Sequence, residues 1–414
     1  MARPPMFGNP TLFVLYRVTS RLYFHLPVLF LHLYTSEIGF GNVIVLLALY
    51  GLVTMVTSGL GTALMPYLRQ KNIIALGELM KAAGLVLILL GTRVGATDFW
   101  TVMLAQVVGG CGFSLAMSTD AGLLRTITSA GPADAFARIQ ARSQSLMFIA
   151  TLVAGSVGGI LFAYEAHWPF LAALLVALAS AALIFLIDEP APTGRRPAPG
   201  APVPAPVLDR DQLFWTRFYA LSRAFTLAPF VGFLPFYFIM IGVDPFLFGA
   251  VLGLFTLSGF GAALYTGAFL KRFGINALMA ATVASMLGAM LLFGASEVLA
   301  DAGIDYFPVG LLAIGLLGLG SGGVRPVTMG NLDMSNLTPP QRTTLLATME
   351  RNFGIYNGIL LLVGGYVLVA FSYQTLMLLL AAVYLLMMAW LATGKGARPA
   401  AADAAPPARH PAAR

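Results

Sequence analysis

Charge is what this 414-residue chain has least of: Asp, Glu, Lys and Arg together make up 10% of it, against about 25% in a soluble domain. A globule of this length could not cover its surface with so few charges, so a water-soluble fold is excluded. Cysteine is confined to Cys111, inside an apolar run, which rules out an internal disulfide and any cysteine-built metal cluster. No G-x-S-x-G elbow, H-E-x-x-H pair, phosphate-binding Walker loop or metal-ligand cluster occurs. The sequence therefore predicts no enzyme, no cofactor and no resident metal, and disfavours transport driven by ATP on this chain.

What is present is apolar: 58% of residues. A spanning helix needs about 20 mainly apolar residues, so roughly a dozen fit. Short polar breaks separate runs at 11–34, 42–65, 72–92, 99–124, 138–163 and 168–187, then at 212–242, 245–269, 274–295, 306–331, 343–371 and 373–393. The run from Thr11 follows Arg3 and is too long for a signal-peptide core, so it reads as a first span. The predicted fold class is an all-α polytopic membrane protein with twelve transmembrane helices in two pseudo-symmetric six-helix bundles. Residues 1–187 form the first bundle and 212–393 the second. Between them, 188–211 holds seven prolines, which keep it an extended connector. Residues 394–414 are expected to be a polar, disordered tail.

Lys and Arg collect on one set of loops: Arg69 and Lys71, Arg125 and Arg138, Arg195 and Arg196, Lys271 and Arg272, Arg342, and the tail. The opposite loops carry Glu37, Asp98, Glu165, Asp244, Glu297, Asp301 and Asp305, with only Arg93 positive. Cytoplasmic loops are the basic ones, so both termini and the linker are expected in the cytoplasm, with the chain in the cytoplasmic (inner) membrane. The net charge of +7 is then a topology signal, and nucleic acid is not an expected partner. The expected partners are a small-molecule substrate, a proton as coupling ion and membrane lipid, around a monomer.

The two halves repeat. Ser20-Arg21 is followed after five residues by Pro27, and Ser222-Arg223 after five by Pro229, an offset of 202 residues. Gly61 and Gly267 open matching loops at offset 206, as do Gly158-Gly159 and Gly364-Gly365. Three ordered matches with equal span counts indicate parallel six-helix repeats.

On these features the chain resembles the major facilitator superfamily of secondary transporters. That family's loop G-x-x-x-D-[RK]-x-G-x-[RK]-[RK] is partly kept here. The second copy has Gly267, Arg272 and Gly274 with Lys271 in the acidic position, and the first has Gly61 and Lys71 with Met65, Pro66 and Leu68 off pattern. The resemblance implies that these loops act as gates, with their acidic latch missing. In the fourth span Gln106 stands where many proton-coupled members have arginine, before Gly110 and Gly112. In the fifth, Ala150, Ala154, Gly155, Gly158 and Gly159 follow an exporter pattern with its proline replaced. The style of Tyr16-Arg17 through Pro27 is similar to small-metabolite and siderophore exporters.

Charged residues within spans are costly and usually face the bundle interior or a wet cavity. Arg17, Arg21, His25 and His32 step by four, four and seven, one face of a continuous helix, expected to line a central path. Tyr219, Arg223 and Thr226 are the counterparts in span seven. Arg21 lies near mid-membrane, whereas Arg17 can also snorkel to the surface. Arginines facing across the repeat axis would fork onto a carboxylate or phosphate, and Arg325 adds a third cation unless it pairs with Asp333 or Asp120. The substrate-binding candidates are thus Arg17, Arg21, His25, Tyr219, Arg223 and Arg325. The proton-coupling candidates are Asp120, Glu78, Asp333 and Glu350. Asp120 is preferred; its structural alternative is a pair with Arg125 or Arg142. Glu78 has Lys81 three residues on, and Glu350 adjoins Arg351 as a gate or interhelical pair. Proton-driven efflux, as an antiporter, of an anionic organic solute is the leading expectation. Uptake or uniport, as a symporter or facilitator, and a transporter-like scaffold or sensor are the alternatives. Buried cations argue against a scaffold, which has no need of them.

Overall fold

The computed structural model describes residues 8–57, 59–65, 67–93, 96–128, 135–189, 208–334, 337 and 339–394. Most of the linker and the tail from residue 395 lie outside them. Among the described residues, nine helices are long and apolar enough to cross a membrane. The chain is helical nearly throughout; residues Thr92–Arg93 (β1) and Ala96–Thr97 (β2) pair antiparallel and are a small departure from the all-α expectation.

The first half comprises α1 (Asn9–Thr19), α2 (Leu29–Thr35), α3 (Phe40–Val56), α4 (Leu60–Leu64), α5 (Gln70–Gly91), α6 (Phe99–Thr128), α7 (Ala135–Tyr164) and α8 (Trp168–Phe185). The second comprises α9 (Arg210–Ala228), α10 (Leu234–Met240), α11 (Pro245–Gly294), α12 (Ser296–Asp301), α13 (Tyr306–Asn331), α14 (Pro339–Ala370) and α15 (Tyr373–Gly394). The continuous first span is corrected here. The helix stops at Ser20 and resumes as a 3₁₀ turn at Leu26–Val28. Pro27 lacks the N–H that would continue the helix, and its ring would meet the carbonyl of Tyr23. The equivalent Pro229 produces a milder defect, a widened π turn over Pro229–Phe233 that joins α9 to α10.

Conversely, the expected eighth and ninth spans join in one hydrogen-bonded run, α11, interrupted only at Gly274 (φ 79°). That φ is in the left-handed region, where glycine carries no Cβ penalty. Polar side chains cap several turns. Asp209 and Gln212 form a reciprocal capping box at the start of α9. Asp98 accepts from Trp100 N and Thr101 Oγ1, bonds that hold its carboxyl below the usual range.

One end of the molecule gathers the helix ends near the termini. Asn9 and Asp188 exchange two hydrogen bonds, Thr126 donates to Gln70, and Gln212 donates to the Asp333 carbonyl. At the opposite end His32 meets Thr92 at 2.9 Å. The halves approach along two seams. In one, Gly155 of α7 lies against Gly249 of α11 so closely that a Cβ on Gly249 would overlap the Gly155 carbonyl. Along this seam Leu152 faces Gly253 and Phe148 faces Phe260. In the other, Ile44 of α3 packs on Gly365 of α14 and Met55 on Gly354. The Phe40 and Phe236 rings, 5.2 Å apart, add a contact at the end away from the termini. Small residues permit this approach where lipid supplies no hydrophobic drive; the same device seats Gly322 of α13 on Gly259 of α11. Helix α7 runs 13 residues beyond Phe148 toward the termini end, and α11 likewise runs on past Phe260 to its break. Arg325 and Arg351 are exposed.

Candidate charged cleft

The polar groups of the first half converge from three helices. Arg17, in the last turn of α1, is 5% exposed. One of its Nη atoms sits 3.1 Å from Asp120 Oδ2 on α6. The other donates to Gln140 Oε1 at 2.7 Å and Ser143 Oγ at 3.2 Å on α7. A guanidinium can satisfy three acceptors at once because its fork is planar, and three of its contacts here are protein groups. Asp120 therefore pairs with Arg17, not with the Arg125 or Arg142 considered from sequence, and Arg325 does not hold it. Tyr16, the residue before Arg17, donates to Glu78 Oε1 at 3.2 Å, and Lys81 closes on Glu78 Oε2 at 2.5 Å, the i,i+3 pair read from sequence.

The break at Ser20 takes Arg21 and His25 off the face of Arg17. Arg21, half-buried, donates to Tyr23 Oη at 2.8 Å, touches the Met117 sulfur, and lies 5.8 Å from the ring centres of Tyr23 and Phe113. Among the described residues no carboxylate stands within ion-pair distance of it. His25 packs against Tyr23 and Phe170, and its Nδ1 is buried without a hydrogen-bond partner. His32 lies farther away, bonded to Thr92.

In the second half Tyr219, Arg223 and Glu350 form a triangle. Tyr219 Oη donates to Glu350 Oε1 at 2.6 Å, and Arg223 reaches both Tyr219 Oη and Glu350 Oε2 at 2.5 Å. The guanidinium also lies 4.3 Å from the Phe353 ring centre. The side chains of Arg223 and Glu350 keep 36% and 46% exposure, so water reaches this pair while the Arg17–Asp120 pair, at 6% and 7%, is sealed. Glu350 is thus an interhelical partner of Arg223 and not of Arg351. Arg325, just before Pro326 in α13, is exposed, close enough for its charge to act on Glu350 and Tyr219 in one half and Arg17 in the other. Of the groups just described, Arg17, Lys81 and Arg223 are paired with Asp120, Glu78 and Glu350, while Arg21 and Arg325 have no carboxylate within ion-pair distance among the described residues.

Other predicted residues lie elsewhere. Asp333 follows the end of α13, its backbone carbonyl held by Gln212. Gly61 packs on Ser118 and Thr119 of α6. Gly267 faces open space, Lys271 and Arg272 are exposed, and Gly274 makes the turn between the limbs of α11. Lys71 belongs to a clasp that sequence reasoning missed. Glu189 accepts from the backbone N–H of Gln70 and Lys71, both at 3.1 Å, while Lys71 Nζ donates to the Ile187 carbonyl. An acid from beyond α8 thus occupies the positive end of α5. Gln140 and Ser143 were missed too; their signal is a polar i,i+3 pair at the head of an otherwise apolar helix.

A nearly all-helical structure with nine helices, among the described residues, long and apolar enough to cross a membrane and packed along small-residue seams is that of a multi-pass membrane protein. Residues 13–347 match the Major Facilitator Superfamily, and the chain belongs to that family. Among curated proteins none matches the sequence. Solved structures share its fold. An auto-inhibited POT family peptide transporter superposes with a TM-score of 0.76 at 12% identity, covering 96% of this chain and 98% of the other. The nucleoside transporter NupG gives 0.72 at 13%, covering 95% and 100%. A bacterial homologue of the iron transporter ferroportin, in its inward-facing state, gives 0.67 at 16%, covering 93% and 98%.

Proposed function

We propose that this protein is a secondary active transporter that moves a small anionic organic solute by alternating access, coupled to protons and directed outward from the cytoplasm. Its twelve spans would form two six-helix bundles. Counting α1 with α2, α3 with α4, α9 with α10 and the two limbs of α11 separately gives six crossings in each half. Hydrogen bonds that gather the ends of both halves near the termini support that count. The bundles would rock about the glycine seams, the cleft at the termini end being the cytoplasmic mouth.

The observation that carries the reading is that Arg21 and Arg325 have no carboxylate partner among the described residues, which leaves them for a carboxylate or phosphate of the solute. Arg17, His25, Tyr219 and Arg223 would shape the same path. Asp120 would carry the proton: its protonation would free Arg17, and a group couples only if its state differs between the two facings. Glu78 and Glu350 are the reserve carriers, and Asp333, at the end of α13, the least central. The loops at Gly61–Lys71 and Gly267–Gly274 would gate the mouth, with Glu189 supplying the acid that the first loop lacks. The structural neighbours are named for peptides, nucleosides and iron, so the shared fold selects no solute.

A thermal-stability screen of the purified protein against mono- and dicarboxylates, phosphorylated metabolites and hydroxamates tests the site. Anions should raise the melting temperature of the wild type, and Arg21→Gln with Arg325→Gln should abolish the rise. Stabilisation by neutral or cationic solutes alone would discard the anion site. Uptake or uniport stays the second reading because of Gln106. It is buried in α6 with Nε2 lacking an acceptor among the described residues, a neutral group where proton-coupled members of the family carry a cation.

A further inference from the structure

A second basic site lies outside the cleft, between α9 and α15. A cavity of about 220 Å³ is lined there by Arg210, Leu213, Phe214, Arg217, Trp390, Leu391 and Thr393. Residues 210, 213, 214 and 217 lie on one face of α9, because side chains three, four and seven apart stack along a helix. The two arginines are about 10 Å apart along the axis at 1.5 Å per residue, one at the helix start and the other two turns in. Arg210 is exposed. Arg217 rests its guanidinium 5.1 Å from the Trp390 ring centre, a contact with the ring face that leaves its N–H edge for an acceptor. Of the neighbouring acids, Asp209 accepts from Gln212 N, and Asp211 is turned about 100° from Arg210 around the helix. Neither arginine forms an ion pair within the described residues.

The remaining walls are hydrocarbon and indole, apart from Thr393, whose hydroxyl donates to the Trp390 carbonyl. Trp390 is 55% exposed near the terminal end of α15, the place for an aromatic side chain at a membrane–water boundary. A soluble anion would gain little from such walls, whereas a phosphodiester with acyl chains would use both the cations and the apolar surface. We propose that this cavity binds the headgroup of an anionic phospholipid, with Arg210 and Arg217 on its phosphate and Leu213, Phe214 and Trp390 against the glycerol and first acyl carbons. Two cations select an anionic lipid over a zwitterionic one, whose own ammonium they would repel. The lipid would tie the first helix of the second half to its last, outside the transport path.

Native mass spectrometry of the full chain in neutral detergent tests this, with phosphatidylglycerol, phosphatidylcholine and inorganic phosphate as separate probes. The wild type should retain one phosphatidylglycerol under activation that strips phosphatidylcholine. Arg210→Gln/Arg217→Gln should weaken it about tenfold or more, the loss of a charge-assisted bond. Arg69→Gln, a basic change at the same end of the molecule, should leave it unchanged. Arg210→Gln alone, at an exposed position, should also weaken it and decides the matter if the Arg217 variant does not fold. Wild-type affinity in folded Arg210→Gln or the double variant, equal retention of phosphatidylcholine, or displacement by inorganic phosphate would overturn the assignment.

Discussion

Asp120→Asn should be among the most destabilising single substitutions in the first half. In the native structure Asp120 and Arg17 stand 3.1 Å apart with side chains 7% and 6% exposed. The amide keeps the shape but removes the charge. Arg17 would then be held only by the neutral acceptors Gln140 and Ser143, and Arg17 Nε already lacks an acceptor. Leaving one member of a buried pair uncompensated costs roughly 3–5 kcal/mol. Arg17→Gln should cost less, because Asp120 can shed its charge by taking up a proton and an arginine cannot release one. In Arg17→Gln/Asp120→Asn no charge is stranded, and much of the loss should return. The assay is reversible unfolding in mixed micelles, read as a double-mutant cycle. A folded Asp120→Asn within about 1 kcal/mol of wild type, or a double variant as unstable as the sum of the singles, would refute the reasoning.

Arg21→Gln and Arg325→Gln should each weaken solute binding about 10- to 100-fold, while Arg69→Gln leaves it near wild type; equilibrium binding to folded variants decides this. Gly249→Val should part the α7–α11 seam, because its side chain would enter the Gly155 backbone. Cross-linking between cysteines placed at residues 152 and 253 should fall, and unchanged cross-linking would contradict the seam. Glu189→Ala removes the acceptor for two N–H groups of α5 and should cost about 1 kcal/mol, with faster amide exchange at Gln70 and Lys71.

The span pattern was legible in the sequence because lipid demands long apolar runs and punishes charge. The turn at Gly274 falls on the first residue of the ninth run. The first span was misread because periodicity assumes an unbroken helix. Arg17, Arg21 and His25 share a face only if residues 20–25 are helical, and Pro27 ends that. The same Ser-Arg-x₅-Pro pattern leaves the second half nearly straight at Pro229, so local sequence does not decide how a proline is accommodated; the neighbours do. Partner choice was also illegible. Asp120 was weighed against Arg125 and Arg142, near in sequence, and against Arg325, whereas its partner Arg17 comes from α1; Glu350, read with Arg351 as a gate or interhelical pair, has its interhelical partner in Arg223. Glu78–Lys81, a contact within one helix, was read correctly for that reason. The Glu189 clasp went unseen because it joins a loop after α8 to the start of α5.

The central claim is that the cleft moves an anion and that Asp120 links the movement to protons. Counterflow and pH-jump transport in proteoliposomes, run on the solute that the stability screen selects, test it most directly. The wild type should exchange the solute and accumulate it uphill when a pH gradient is imposed. Arg21→Gln should lose both activities, and folded Asp120→Asn should keep exchange but lose accumulation. Full pH-driven accumulation by Asp120→Asn, or undiminished exchange by Arg21→Gln, would contradict the account.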